Sequence, residues 1–392
     1  MAKGSTHYSL KEDFISRISR GKKHLIALLA LFILPLILYG PVFFGGKQFL
    51  GNDVIQWRAG AESIKEYKAE FGKNPLWAAN MFSGMPAYTI SMPDKVPNLD
   101  TVIKKLSGHT YPVPYFWILL FGAYLLFVLM KFRPLTAAIG SIFISFTTYL
   151  PIIVEAGHYN KFVGFAFIPW LFAGYYMLSH SKRKWLGLFA FALATALQLR
   201  GGHPQVTYYF LYLLLFWWLF DTWNRYKKDE LKEWAQRTGL MIAGGLLAIL
   251  SALEGYLALY QYSHYSTRAG SALAASGGGL SMEYAFKWSQ GFSELLTLII
   301  PKLFGGASGM AYWGPKPFTS GPHYLGAITF VLALIGIIRY KKKIKWLFLG
   351  AGVLTMLFSL GFHFKLLNAV MFHYVPYFAK FRTPEMWLMV SV

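Results

Sequence analysis

The chain has 392 residues, 55% hydrophobic and 14% charged, with a formal net charge of +21 and no cysteine; its mean hydropathy is +0.41. So apolar a composition excludes an ordinary soluble domain of this size and requires a lipid solvent. The missing cysteines exclude disulfides, thiolate catalysis and Cys-ligated zinc. The bases sit in short clusters beside apolar runs, so anionic inner-leaflet lipid is their expected partner and nucleic acid is not.

An amino terminus carrying Lys3, Lys11, Arg17, Arg20, Lys22 and Lys23 precedes an apolar run from His24 to Phe44, long enough to cross about 30 Å of hydrocarbon. The run exceeds the apolar region of a signal peptide and no small-x-small cleavage site follows it. It reads as an uncleaved first helix, with residues 1–23 in the cytoplasm. Further spans are predicted from Tyr115 to Met130, Leu135 to Ile153, Phe162 to Leu178, Trp185 to Leu199 and Val206 to Phe220, then from Leu240 to Leu259, Tyr324 to Ile338 and Trp346 to Gly361. With the amino terminus inside, Lys131 and Arg133, residues 182–184, 225–237 and 339–345 all fall on the cytoplasmic face, as the positive-inside rule requires. The expected fold is an all-α polytopic bundle in a bacterial cytoplasmic membrane, with outer loops at 45–114, 154–161, 200–205, 260–323 and 362–385. Met386 to Val392 opens a further apolar run without a closing flank, so the chain is expected to be a fragment of a longer protein.

The outer loops carry the chemistry. The first is far longer than a connection needs and opens on Gly51, Asn52 and Asp53. Ile55, Ala59, Ile64, Tyr67 and Phe71 then share one face of an expected interfacial helix. A second such helix is expected from Leu99 to Leu106, with Asn98 as its N-cap and Val102 and Ile103 towards lipid. Between them, Asn74 to Pro86 is turn-rich and aromatic. Asp53 suits an N-cap, and an N-cap carboxylate can also serve as a base.

The second outer loop gathers Glu155, His158, Asn160 and Lys161, suited to proton transfer or, if Asp53 joins Glu155 and His158, to a divalent cation. The third, Arg200-Gly-Gly-His-Pro-Gln205, allows close backbone approach and offers Arg200, His203 and Gln205 to phosphate or hydroxyls; an ordinary turn with a snorkelling Arg is the alternative. Glu254, inside a predicted span, needs a partner or a wet cavity. The fourth loop holds Arg268, the run Ser276 to Gly279, Glu283 and an apolar stretch from Leu295 to Leu303 that is too short to span. Such loops can act as lids. The last outer segment carries His363, Lys365, His373, Arg382, Pro384 and Glu385, and Arg382 could clamp a phosphate or anchor a helix end.

Gly51-Asn-Asp53 with Gln56, Met81-Phe-Ser-Gly-Met-Pro86, Gly202-His-Pro-Gln205 before Tyr208 and Tyr209, and Phe381-Arg-Thr-Pro384 occur in an order that resembles the YfhO-type bacterial membrane proteins, which are similar to the GT-C class of glycosyltransferases. The resemblance implies a GT-C-like helical bundle that moves a monosaccharide from a polyprenyl-phosphate donor to an extracytoplasmic acceptor hydroxyl. In that class a first-loop carboxylate is catalytic, which matches Asp53, and some members use a second-loop acid, which would match Glu155. This chain has a single Asp after the first helix where the class has an acidic pair. Asp53 is then the expected general base, with His158, Lys161, Arg200, His203, Gln205, Glu254 and Arg382 as substrate contacts, and inversion is expected because no dedicated nucleophile pair is evident. A transporter or flippase for a lipid-linked sugar is the main rival. It would want ionisable groups near the bilayer midplane, whereas these gather outside, and no internal repeat is evident. A non-catalytic envelope scaffold, third in order, has no need of Asp53.

Overall fold

The computed structural model describes residues 19–81, 83–90, 99–266, 280–306, 312–319 and 321–391. Asn98, Arg268 and the 276–279 run lie outside them. Leaving single-turn pieces unlabelled, the helices are α1 (Arg20–Leu38), α2 (Asn52–Phe71), α3 (Leu99–Ser107), α4 (Val113–Leu129), α5 (Pro134–Ser145), α6 (Tyr149–Glu155), α7 (Tyr159–Ala166) and α8 (Ile168–His180). They continue with α9 (Lys184–Arg200), α10 (Pro204–Tyr226), α11 (Leu231–Ser251), α12 (Leu253–Ser263), α13 (Ala327–Arg339), α14 (Ile344–Ser359) and α15 (Lys365–Tyr374). The described strands form one antiparallel hairpin, β1 (Trp77–Ala78) against β2 (Met85–Pro86). The fold is all-α.

Proline and capping residues set many of the boundaries. Ser19 accepts a hydrogen bond from the Lys22 N–H and starts α1, while Pro114, Pro134, Pro169 and Pro204 stand in the first turn of α4, α5, α8 and α10, where the missing N–H costs nothing. The predicted run through Phe44 breaks after Leu38 and resumes for one turn over Gly40–Phe43. Other apolar runs bend. Leu135 to Ile153 folds as α5 and α6 at 46°, Leu240 to Leu259 lies across α11 and α12 at 70°, and α14 turns by 110° into Gly361–Tyr374. By length and composition, Gly21–Leu38 and Tyr159–His180 can each cross a membrane, or up to five spans if each bent pair counts as one; α4 and α13 are apolar but shorter. Fewer helices pass this test than the sequence predicts because hydropathy does not register a bend.

Phe116, Phe162, Tyr175, Trp217 and Trp387 are almost wholly buried and tie α4, α7, α8 and α10 to the 384–391 segment. The α8–α9 contact depends on two glycines. A Cβ at Gly174 would lie 2.5 Å from the Phe191 backbone, and one at Gly187 2.4 Å from the Leu178 backbone. Small residues of this kind let apolar helices approach backbone to backbone.

The two ends of the bundle differ chemically. At one end Arg237 donates to the Leu178 and Ser181 carbonyls at 2.6 and 3.0 Å and Arg225 to Ser179 at 3.1 Å. Buried Asp221 there accepts from the Tyr175 hydroxyl at 2.8 Å, with His180 Nε2 at 3.5 Å. These are the segments beside the basic clusters. The segments predicted as outer loops meet at the other end.

The first long loop departs from expectation in detail. Val54, Ala61 and Ile64 form the buried face of α2, leaving Ile55, Tyr67 and Phe71 exposed, so of the expected stripe only Ile64 packs inward. On α3, Val102 is exposed as expected, but Ile103 packs on the core and Leu99 and Leu106 complete the exposed apolar edge. The Leu295 to Leu303 stretch becomes a 3₁₀ turn over Ser293–Leu298 followed by further turns, with Leu296 and Ile300 exposed.

Candidate functional site

The start of α2 sits on the turn between α6 and α7. A Cβ on Gly51 would meet the Glu155 carbonyl oxygen at 2.4 Å, and one on Gly157, whose φ is +87°, would meet Val54 Cγ2 at 2.7 Å and Asp53 Cβ at 3.5 Å. Only glycine tolerates both the contacts and the left-handed backbone at residue 157. This packing brings Asp53 to His158, Oδ2 to Nε2, at 2.9 Å. Gly51 is the N-cap of α2 and Asp53 stands in its first turn, so the expected Asp53 cap does not form. Its carboxylate lies near the positive end of the helix dipole and is 54% exposed, open to a substrate.

His158 Nδ1 lies 3.3 Å from Lys161 Nζ. An ammonium can only donate, so Nδ1 is the acceptor and the ring hydrogen is on Nε2, directed at Asp53. Carboxylate, imidazole and ammonium thus form one line. Burial and then the Lys161 charge hold His158 below its ordinary value, against the opposing pull of Asp53. The imidazole is therefore neutral at pH 7.

Lys161 is where the segments predicted as outer loops converge. Its Nζ lies 5.9 Å from the centre of the Tyr149 ring, and the charges of Glu385, Asp53 and Arg382 all reach it. The 200–205 turn packs on the same helix, because a Cβ at Gly201 would come within 2.8 Å of Gly164 N. From that turn Gln205, buried, donates to Tyr209 Oη at 2.8 Å and to the Arg382 carbonyl at 2.5 Å. The Arg382 guanidinium donates to Tyr284 Oη at 2.5 Å and stacks 5.5 and 5.7 Å from the rings of Tyr284 and Trp288. A small aromatic pocket opens beside it, between Tyr209, Phe286, Phe381 and Trp387. Thr383, with φ +65°, sits in the left-handed region, a costly state for a β-branched residue and one that gathers at functional sites.

Sequence reasoning missed a buried ionic network. Lys316, buried in the segment predicted as the fourth outer loop, donates to Glu385 Oε2 at 2.7 Å and Gln290 Oε1 at 3.0 Å, with Glu294 Oε1 at 3.6 Å. Glu294 also accepts from the Tyr312 hydroxyl at 2.5 Å and from Gly291 N at 2.9 Å. Burial and Glu294 together push the Tyr312 phenol up. The same loop ends on His323, 4% exposed, its ring stacked 4.4 Å from Tyr149 at 15°. Burial, then the charges of Lys316 and Lys161, push His323 down to about 3. The one sequence signal for this network is a lysine held between two prolines, Pro315 and Pro317.

The remaining predicted residues are dispersed. Glu155 shares the turn with Gly157 but its side chain is exposed and forms no hydrogen bond or ion pair among the described residues. Arg200 donates to the Ser251 carbonyl at 2.7 Å and so caps α11, and His203 is the N-cap residue of α10. Glu254 does not lie inside a continuous span: it stands exposed in the first turn of α12, just past the 70° bend. His363, Lys365 and His373 are exposed as well. Among the described residues no three His, Asp or Glu side chains come together as metal ligands, and the Asp53, Glu155 and His158 trio does not assemble. A scan against protein-family models, a search of curated proteins and a search of solved structures each found no match to this chain.

Proposed function

We propose that this protein is a polytopic membrane glycosyltransferase of GT-C type, moving a monosaccharide from a polyprenyl-phosphate donor to an acceptor hydroxyl outside the cytoplasmic membrane. The observation that carries the reading is the Asp53–His158–Lys161 line, a half-exposed carboxylate aimed by a neutral imidazole. Asp53 takes the proton from the acceptor hydroxyl as its oxygen attacks the anomeric carbon. The bond from that carbon to the donor phosphate breaks, and the lipid phosphate leaves with the electron pair. Lys161, at the inner end of the line, and Arg382, whose charge reaches it, neutralise the phosphate. The aromatic pocket beside Arg382 suits the first isoprene unit, and direct displacement inverts the anomeric centre.

The test is transfer from a radiolabelled polyprenyl-phosphate sugar by purified protein. Asp53→Asn is expected to lower the rate on the order of 10²-fold or more while the protein remains folded. Unchanged transfer in that variant removes Asp53 as the base. Glu155→Gln is expected to cost less than Asp53→Asn, because its carboxylate is held by nothing around it.

A second reading, a transporter of the lipid-linked sugar, draws on the helices broken at 46°, 70° and 110°, a feature of transporter binding sites. The Asp53, His158 and Lys161 groups lie together at one end of the bundle, which favours the enzyme. Sugar-lipid crossing proteoliposomes without any transfer would favour the transporter.

A further inference from the structure

Tyr149 and His323 stand out because neither takes part in the Asp53 line, yet both are buried polar groups left unsatisfied. Tyr149 Oη and His323 Nδ1 have no hydrogen-bond partner among the described residues, although their rings stack at 4.4 Å. Such groups are rare in folded proteins and each one needs an explanation. Three neighbours point to what would satisfy them. The Glu385 carboxylate, fixed by Lys316 at 2.7 Å, is close enough for its charge to reach Tyr149. Lys161 Nζ lies 5.9 Å from the centre of the Tyr149 ring. Thr148, the residue before Tyr149, clamps the His323 segment, its hydroxyl donating to the Pro322 carbonyl at 2.6 Å and accepting from the Tyr324 N–H at 2.8 Å.

We infer that Tyr149, His323 and Glu385 form a subsite for a neutral polyhydroxylated ring, the sugar of the donor, adjoining Lys161, one of the cations that meet its phosphate. A phenol hydroxyl, an imidazole and a fixed carboxylate supply the mixed donors and acceptors that vicinal hydroxyls need, and the aromatic faces suit the apolar side of a ring. The phosphate is disfavoured there by the Glu385 charge and favoured at Arg382 and Lys161. The two rings stack at 4.4 Å, so the segment carrying His323 must move outward to admit a sugar ring. This assignment rests on the glycosyltransferase reading for the identity of the ligand, but it concerns binding and is tested without turnover.

The experiment measures the affinity of purified protein for polyprenyl-phosphate glucose, galactose, mannose and N-acetylglucosamine, and for bare polyprenyl phosphate. In wild type at least one sugar-lipid is expected to bind more tightly than the bare lipid. Tyr149→Phe and His323→Phe preserve the stacked rings; the first removes the hydroxyl and the second both ring nitrogens, the unsatisfied Nδ1 among them. Each is expected to weaken the preferred sugar-lipid about tenfold, the worth of one hydrogen bond, while the bare lipid binds as before. Retained binding of the bare lipid shows that the variants are folded. Equal affinity of wild type for every sugar-lipid and the bare lipid overturns the subsite, as does an unchanged sugar preference in both variants. The two proposals fail separately: sugar-dependent binding lost in these variants, with no transfer by wild type to any acceptor, leaves the subsite standing and sinks the enzyme.

Discussion

At the residue scale, the behaviour of the site follows from which groups stay neutral. His158 is held below 6.5 by burial and Lys161, so it remains an uncharged donor to Asp53 until the pH falls below that value. Protonation then sets an imidazolium beside the carboxylate and weakens it as a base. The acid limb of the transfer rate is accordingly expected below pH 6.5. Lys161→Met removes one cause of the depression and should move that limb to higher pH, whatever its effect on the rate itself; a limb that stays or moves down would separate His158 from the titration. His323 makes a stability statement. The fold keeps it neutral to about pH 3, whereas the unfolded chain takes the proton near 6.5. Between those values the unfolded state binds the extra proton, so stability falls with falling pH, by about 1.4 kcal/mol per unit from this group. Thermal unfolding in detergent at pH 7 and pH 5 should show the loss, and His323→Phe should reduce it.

At the element scale, what positions the site is close approach rather than propensity. The α8–α9 pair meets backbone to backbone at Gly174 and Gly187, and its helices hold Lys161 through α7 and the third outer turn through α9. Gly174→Leu inserts side-chain atoms where a Cβ alone already collides, and overpacking of this kind costs about 1–3 kcal/mol. A lowered midpoint of thermal unfolding is expected, with no change in the pH limb of whatever transfer remains; an unchanged midpoint would mean the two helices separate freely. The helix periodicity and the prolines made the elements legible in the sequence, because both act within a few residues. The bends did not show, since a run from Leu240 to Leu259 has the same hydropathy straight or broken at 70°. Glu254 was misjudged for that reason.

At the scale of the whole molecule, the two chemically different ends are the feature on which the functional reading stands. The absence of cysteine allows a clean test of sidedness: Gln56→Cys and Lys182→Cys in intact cells, treated with a membrane-impermeant maleimide. Residue 56 is expected to label from outside and residue 182 only after the membrane is opened. The reverse pattern would put Asp53 in the cytosol and end the proposal of extracytoplasmic transfer.

The sequence by itself determined the all-α class, most helix positions, and the segments from which the polar groups come. These follow from local periodicity, capping and composition, which need no knowledge of neighbours. Only the tertiary structure decided that Asp53 meets His158 and not Glu155, that Gln205 holds the backbone of Arg382, and that Lys316 reaches Glu385 across a separation of 69 residues. Side-chain pairing between distant segments depends on how the helices cross and where glycines let them close, and no pattern along the chain encodes those distances.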